Sequence, residues 1–263
     1  MDALDAIRTT IDETGDEYLA EYADRIIASV RETLCFNILA ATPAEIPLGV
    51  SRIGGEPDVP AEFTWPTDDG GNPLAFLFQL QLSPLADELL LVFAGKEAYP
   101  AAVHVERIPT GTPLVRMPSP KNFVYPSFYA VGDSTKVHEL FATPHLLRST
   151  LTHDIPRECG YQYEELFGDD YDVQDTYGEV LEVVAPYGDI RYGGHYAGYH
   201  DPSEDACEYH GLDESHQENW QHLVTLDSID DSFVIGDCGY FQILELPDPT
   251  GEPAKLYGGM ESS

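Results

Sequence analysis

Lysine is nearly absent from this 263-residue chain. Only Lys96, Lys121, Lys136 and Lys255 occur, and with nine arginines they face 47 aspartates and glutamates. Binding to nucleic acid needs clustered Lys and Arg to neutralise phosphates, so the balance excludes it as a partner class. No apolar run approaches the roughly 20 residues that span a bilayer, which argues against a membrane protein. The N-terminal MDALDAIRTTIDETGDEY has no basic region or apolar stretch of a signal peptide, so the expected compartment is the cytoplasm. Cysteine is scarce too. Cys35, Cys159, Cys207 and Cys238 form no C-x-x-C pair and no disulfide framework, and they read as buried thiols.

Missing motifs exclude further classes. Gly54-Gly55 lies in neither G-x-x-x-x-G-K-[ST] nor G-x-G-x-x-G, and no G-x-S-x-G is present, so the phosphate-loop, dinucleotide and serine-hydrolase signatures fail. His138-Glu139 begins like a zincin helix, but Ala142 stands where the second histidine belongs. The Asp169, Asp170, Asp172, Asp175 cluster lacks the central glycine of an EF-hand loop.

What the chain does have is evenly spread negative charge, formally -34. An acidic binding tail would concentrate it in one block. Even spread with lysine depletion is the pattern of a surface adapted to molar salt, where a Debye length of about 3 Å screens carboxylate repulsion. Twenty-seven Tyr and Phe residues exclude a solvated, disordered polyanion.

Leu4, Ile7 and Ile11, then Tyr18, Tyr22, Ile26, Val30 and Leu34, repeat at helical spacing around a break at Thr14-Gly15. Two N-terminal helices are expected over 2–34. From Cys35 onward, FNILA, LAFLFQLQL, LLLVFA, AAVHVERI, HLVTLDS, SFVIGD and YFQILEL read as short strands bounded by Pro, Gly and Asp. Loops are expected at 109–126 and a short helix at 178–185 or near 138–148. The fold class is α+β on a mainly antiparallel sheet, organised as a helical segment 1–44 and a domain 45–263. Residues 76–93 echo 222–244 in outline; the echo marks either two related half-domains or two ordinary hairpins.

SRIGGEPDVP reads as a rigid loop: glycines permitting positive φ, prolines fixing φ, and Trp65 anchoring it by burial. The stretch 193–216 gathers His195, His200, His210 and His216 around Cys207. Cys207-x-x-His210 is spaced as a zinc half-site, but no second half has defined spacing. No metal and no cofactor is expected.

Together, SRIGGEPDVP with Trp65-Pro66, PLAFLFQLQLSPL (73–85), GGHYAGYHDP (193–202) and LVTLDSIDDSFVIGDCGYFQI (223–243) resemble, in order, the motifs of the YwqG-like family. Ile235 departs from that pattern, standing where the family has Trp, and Thr225 stands where it has Gln. The resemblance implies an α+β fold and brings no established biochemical function. Its association with toxin–immunity loci suggests a protein-binding role. The residues carrying these motifs, Arg52, Trp65, Gln79, His195, Tyr199, Asp227 and Asp237, form the candidate ligand-binding set, with no catalytic residue assigned. Arg52 is expected to pair with Asp237 or Asp227, since a scarce arginine amid so many carboxylates should be engaged through its bidentate fork. Three readings follow: a non-enzymatic protein binding a protein or small molecule, a hydrolase or metal-dependent enzyme using the 193–216 histidines, and an immunity-type inhibitor of a basic toxin.

Overall fold

The computed structural model describes residues 3–40, 45–128, 139–157, 160–168, 173–184, 187–196, 198, 200–229 and 233–261. Two helices open the chain, α1 (Ala3–Thr14) and α2 (Glu17–Ser29). Gly15 turns between them at φ 69°, and the Asp16 carboxylate caps α2 by accepting from the backbone N–H of Tyr18 and Leu19. Helix α2 stops at Ser29, short of the expected Leu34, and Arg31–Ile38 form strand β1. The Ile26-Val30-Leu34 spacing misled because a step of four is also an even step, and an even step keeps a strand residue on one face.

The remaining strands are β2 (Arg52–Ile53), β3 (Asp58–Val59), β4 (Ala75–Gln81), β5 (Glu88–Ala94), β6 (Val103–Pro109), β7 (Val115–Arg116), β8 (His145–Asp154), β9 (Ile190–Gly193), β10 (Gln221–Asp227), β11 (Tyr240–Leu246) and β12 (Lys255–Glu261). Three further helices are α3 (Tyr161–Phe167), α4 (Gln174–Val184) and α5 (Pro202–His210). Helix α4 contains most of the helix expected at 178–185. Near 138–148 only a helical turn at 139–142 forms, and β8 follows from His145. Pro144 ends the turn, and HLLRSTLTHD, with two threonines, suits a strand. The expected strand SFVIGD is a turn region, touching the sheet through an isolated Ile229–Phe233 bridge; Ser232 lies outside the described residues.

Ten strands form one sheet in the order β12-β11-β10-β9-β1-β8-β2-β4-β5-β6, every described pairing antiparallel. This is an α+β fold with N-terminal helices. Strand β1, from the segment before residue 44, lies at the centre of the sheet. The outer strands meet: Ala101 N–H donates to the Gly258 carbonyl at 2.7 Å, and Met260 N–H to the Ala98 carbonyl at 2.9 Å. The sheet is therefore nearly closed into a barrel, which removes its free edges.

Reading the strand order backwards exchanges β1, β2, β4, β5, β6 for β8, β9, β10, β11, β12, strand for strand. The register obeys the same exchange. Arg52 of β2 faces Gln79 of β4, and Arg191 of β9 faces Thr225 of β10. The β4–β5 ladder has its bulge between Phe76 and Phe78; the β10–β11 ladder has its bulge between His222 and Val224. The echoing segments 76–93 and 222–244 are thus equivalent hairpins of two half-sheets, joined by their first strands, β1 and β8.

The barrel interior is apolar, filled by Phe36, Ile53, Phe78, Leu80, Val92, Ile190, Leu226, Phe241 and Ile243 among others. Alternation sends their neighbours outward. On the first half this outer face packs Phe76, Leu91 and Phe93 against Val59 of the 54–74 segment. On the second half it packs Leu244 and Tyr257 against Tyr196, Trp220 and Cys207. The helices α1–α4 bury a separate cluster that includes Ile11, Leu19, Phe167 and Tyr177.

Candidate functional site: two arginine centres

Each half carries an arginine on its outer face, one residue before a turn of two glycines. In Arg52-Ile53-Gly54-Gly55 the glycines have φ of 73° and 74°; in Arg191-Tyr192-Gly193-Gly194 they have 73° and 75°. Both turns are crowded. A Cβ on Gly54 would lie 2.5 Å from the Leu140 carbonyl oxygen, and one on Gly194 would lie 2.7 Å from Asp154 Oδ2.

The first centre is closed. Arg52 and Asp58 are fully buried, with Nη1 to Oδ2 at 2.5 Å, and Arg52 Nη2 also donates to the Glu56 carbonyl. Asp58 further accepts from Gly49 N–H (2.9 Å), Gln79 Nε2 (2.9 Å) and Arg116 Nε (3.0 Å), while its own N–H donates to Gln79 Oε1 at 3.0 Å. Burial alone would raise the Asp58 pKa, but its arginine hydrogen bonds and charges outweigh burial and hold it below the usual carboxylate range. The expected partner of Arg52 is therefore corrected. Asp58, six residues away on the same loop, closes the fork, and neither Asp227 nor Asp237 does. Trp65 lies farther along this face, half-buried, with its indole N–H on the Leu74 carbonyl at 2.8 Å and its ring edge-on to Phe93. The opening loop is a strut, tied down by Gly54 N–H to Leu77 O and Gly55 N–H to Phe141 O.

The second centre is closed less tightly. Its carboxylate, Asp154, comes from β8 and takes its short bonds from backbone N–H groups, His195 at 2.9 Å and Ile155 at 3.1 Å. Its arginines stand farther off: Arg157 Nη2 at 3.5 Å and Arg191 Nη1 at 3.8 Å. Arg31 Nη1 reaches only the Gly194 carbonyl, at 3.5 Å. Among the described residues, Arg191 Nη1, Arg157 Nε and His195 Nδ1 are buried without a hydrogen-bond partner here, as is Arg52 Nε in the first centre. Burial pushes the Asp227 carboxyl up to about 6 against the opposing pull of Arg191. It pushes His195 down to about 4 and, aided by Arg191, His222 down to about 3.

A polar chain runs outward from this centre. His222 contacts the Gly193 carbonyl through Nδ1 and Thr225 Oγ1 through Nε2, both at 2.7 Å. Thr225 contacts Gln242 Oε1 at 3.3 Å; Gln242 Nε2 donates to Glu261 Oε2 at 3.2 Å, and exposed His200 contacts the other oxygen of Glu261 at 2.9 Å.

The candidate set is thus divided. Arg52 and Gln79 meet in the first centre, with Trp65 on the same face. His195 and Asp227 belong to the second. Asp237 is exposed in the 236–238 turn, and Tyr199 lies outside the described residues. The 193–216 histidines do not converge. His195 Nε2 faces the Ser29 carbonyl and His210 Nε2 the Leu256 carbonyl, His200 pairs with Glu261 and His216 with Asp213. Cys207 is buried against Trp220. Among the described residues no group of three or more His, Cys, Asp or Glu is placed to hold a metal, and no helix is long and apolar enough to cross a membrane. His138 and Asp169, Asp170 and Asp172 lie outside the described residues. Sequence reasoning missed Arg191, Arg157 and Asp154. The signal for Arg191 was present, since Arg-Tyr-Gly-Gly repeats Arg-Ile-Gly-Gly. A search among curated proteins finds no match. A family model for a domain of unknown function (DUF1963) matches residues 51–245, spanning both arginine centres and most of both half-sheets, and the chain belongs to that family.

Proposed function

We propose that this chain is a YwqG-like member of the family and works as a non-enzymatic, cytoplasmic binding protein adapted to high salt, with the second arginine centre as its binding site. The observation that carries this reading is that Arg191 and Arg157 keep buried, unpaired donors and stand 3.8 and 3.5 Å from their carboxylate, whereas Arg52, whose Nε is also unpaired, is held by Asp58 at 2.5 Å. Buried donors are nearly always satisfied in folded proteins, and an exception calls for an explanation. The imidazoles and the thiol near this centre are detuned for catalysis: His195 and His222 are held neutral by burial, and the Cys35 thiol is pushed up to about 11, which leaves Asp227, at about 6, as the group that Asp227→Asn removes. The centre supplies fixed charge and donors for holding a ligand. The test is to incubate the protein with a metabolite extract in about 2 M KCl, wash it, denature it and identify what is released by mass spectrometry. One compound should be retained at up to one per chain, unchanged, and lost in Arg191→Gln. No retention, or depletion of a compound over many turnovers by wild type and not by Asp227→Asn, overturns the reading.

The salt adaptation rests on the spread charge of -34. The melting temperature should rise as KCl increases to about 2–4 M, because screening removes carboxylate repulsion; a flat or falling melting curve removes this part of the proposal.

A further inference from the structure

The second centre shows which ligand chemistry it is short of. Arg31, Arg157 and Arg191, three of the nine arginines in the chain, surround Gly194 and Asp154. Each makes only long contacts there, because Asp154 is held by backbone N–H groups. The first half provides an internal template. There one carboxylate, Asp58, sits between two arginines and also takes a backbone N–H and a side-chain amide N–H, with four contacts of 3.0 Å or less. Asp58 stands six residues after Arg52; six residues after Arg191 the chain has Ala197. The loop carboxylate has no counterpart at that position, and the donors it would occupy are unpaired.

We propose that the second centre binds the carboxylate of a small organic acid or of a peptide C-terminus, held by Arg191 Nη1 and Arg157 Nε. This rests on reading the centre as a binding site. The group has to be planar and singly charged. Arg191 and Arg157 already feel the charges of Asp154 and Asp227, and Asp189 stands next to Asp227. A second anion is tolerated there only if its charge is low, which favours a carboxylate over a phosphate dianion. A carboxylate also matches the two-pronged donor geometry of a guanidinium. Access is from the Arg157 side. Arg31 is exposed and the Arg157 side chain is 23% exposed, while the Arg191 side chain is 4% exposed.

The test titrates wild-type protein in 2 M KCl at pH 7, so that halide competition is equal in every arm. The probes are propionate, propionamide, inorganic phosphate, and one short peptide with a free or an amidated C-terminus. Propionate or the free-acid peptide should bind and shift the arginine Nε–H signals in nitrogen-edited NMR, and the amides should not. Which of the two acids binds more tightly identifies the source. Arg157→Lys keeps the charge and loses the Nε donor, and should weaken binding about tenfold, the equivalent of one charge-assisted hydrogen bond. Since Arg157 is partly exposed, this variant keeps the test usable if Arg191→Lys fails to fold. Equal binding of acid and amide, phosphate binding without propionate binding, or wild-type affinity in Arg157→Lys overturns the carboxylate assignment. If metabolite retention holds while both acids fail, only this inference falls; if both experiments fail, the binding reading falls with it.

Discussion

The two halves of the sheet carry the same arginine-turn unit and use it in opposite ways. In the first, the loop after the Gly-Gly turn brings Asp58 back onto Arg52, and both charges disappear into a bonded network. In the second, the carboxylate arrives from β8 and is committed to backbone donors, so the arginines around it stay loosely held. Backbone geometry is shared down to the φ of the glycines. What differs is the origin of the counter-charge. The two-residue strand that holds Asp58 lies outside the large sheet and can carry its carboxylate to the fork, whereas Asp154 ends a ten-residue strand whose side-chain directions the large sheet sets. The same unit therefore makes a strut in one half and a group of loosely held arginines in the other.

The largest expected effect lies in the closed centre. Arg52→Ala removes the shortest contact of a fully buried Asp58, at 2.5 Å, and leaves a cavity beside it, and should cost about 3–5 kcal/mol, measured by denaturant unfolding in high salt. A double-mutant cycle with Asp58→Asn should show strong coupling, and a cycle with Asp237→Asn should be additive. Arg191→Ala should cost less than half as much, because Asp154 keeps its backbone donors. Equal losses at the two arginines would erase the distinction between strut and site.

A smaller effect separates the halves by pH. The Asp58 pKa is lowered, so the stability it contributes is present above the unfolded pKa, near 3.8, and is lost as pH falls through the lower folded value. The Asp227 pKa is raised to about 6, so its contribution is present below 3.8 and is lost as pH rises through 6. Between pH 4 and pH 7, Asp227→Asn should therefore gain stability relative to wild type, while the difference between Asp58→Asn and wild type should change little. A stability difference for Asp227→Asn that is flat across this window would place Asp227 in an ordinary, hydrated setting.

Much of the sheet was legible in the sequence because its longer strands are bounded apolar runs: LAFLFQLQL, LLLVFA and YFQILEL became β4, β5 and β11. Strand β8 was misread as partly helical. Its burial alternates weakly, since Ser149, Thr150 and Leu151 are exposed on both faces. Helix α5 was missed inside a segment read as a histidine loop, although Asp201 caps it, Pro202 starts it and Gly211 closes it in the left-handed region. Of the two centres, Arg52, Gln79, His195 and Asp227 were legible as motif residues of one candidate set. Their grouping was not, because the pairing of β1 with β9 and of β8 with β2 crosses between the halves.

By itself the sequence determined the chemistry of the surface and the class of the fold. Charge sign, lysine scarcity, apolar period and turn residues are local properties, and each acts through neighbours a few positions away. It also contained the repeated Arg-x-Gly-Gly unit, and with it the positions of both arginines. Only the tertiary structure decided which carboxylate each arginine meets. Asp58 lies six residues from Arg52, but Asp154 lies on a strand far from Arg191 in the chain, brought near through β1, which β8 and β9 flank. Charge pairing depends on distance in space and on the directions of competing donors. The order of strands in the sheet sets both, and a single strand read alone does not contain that order.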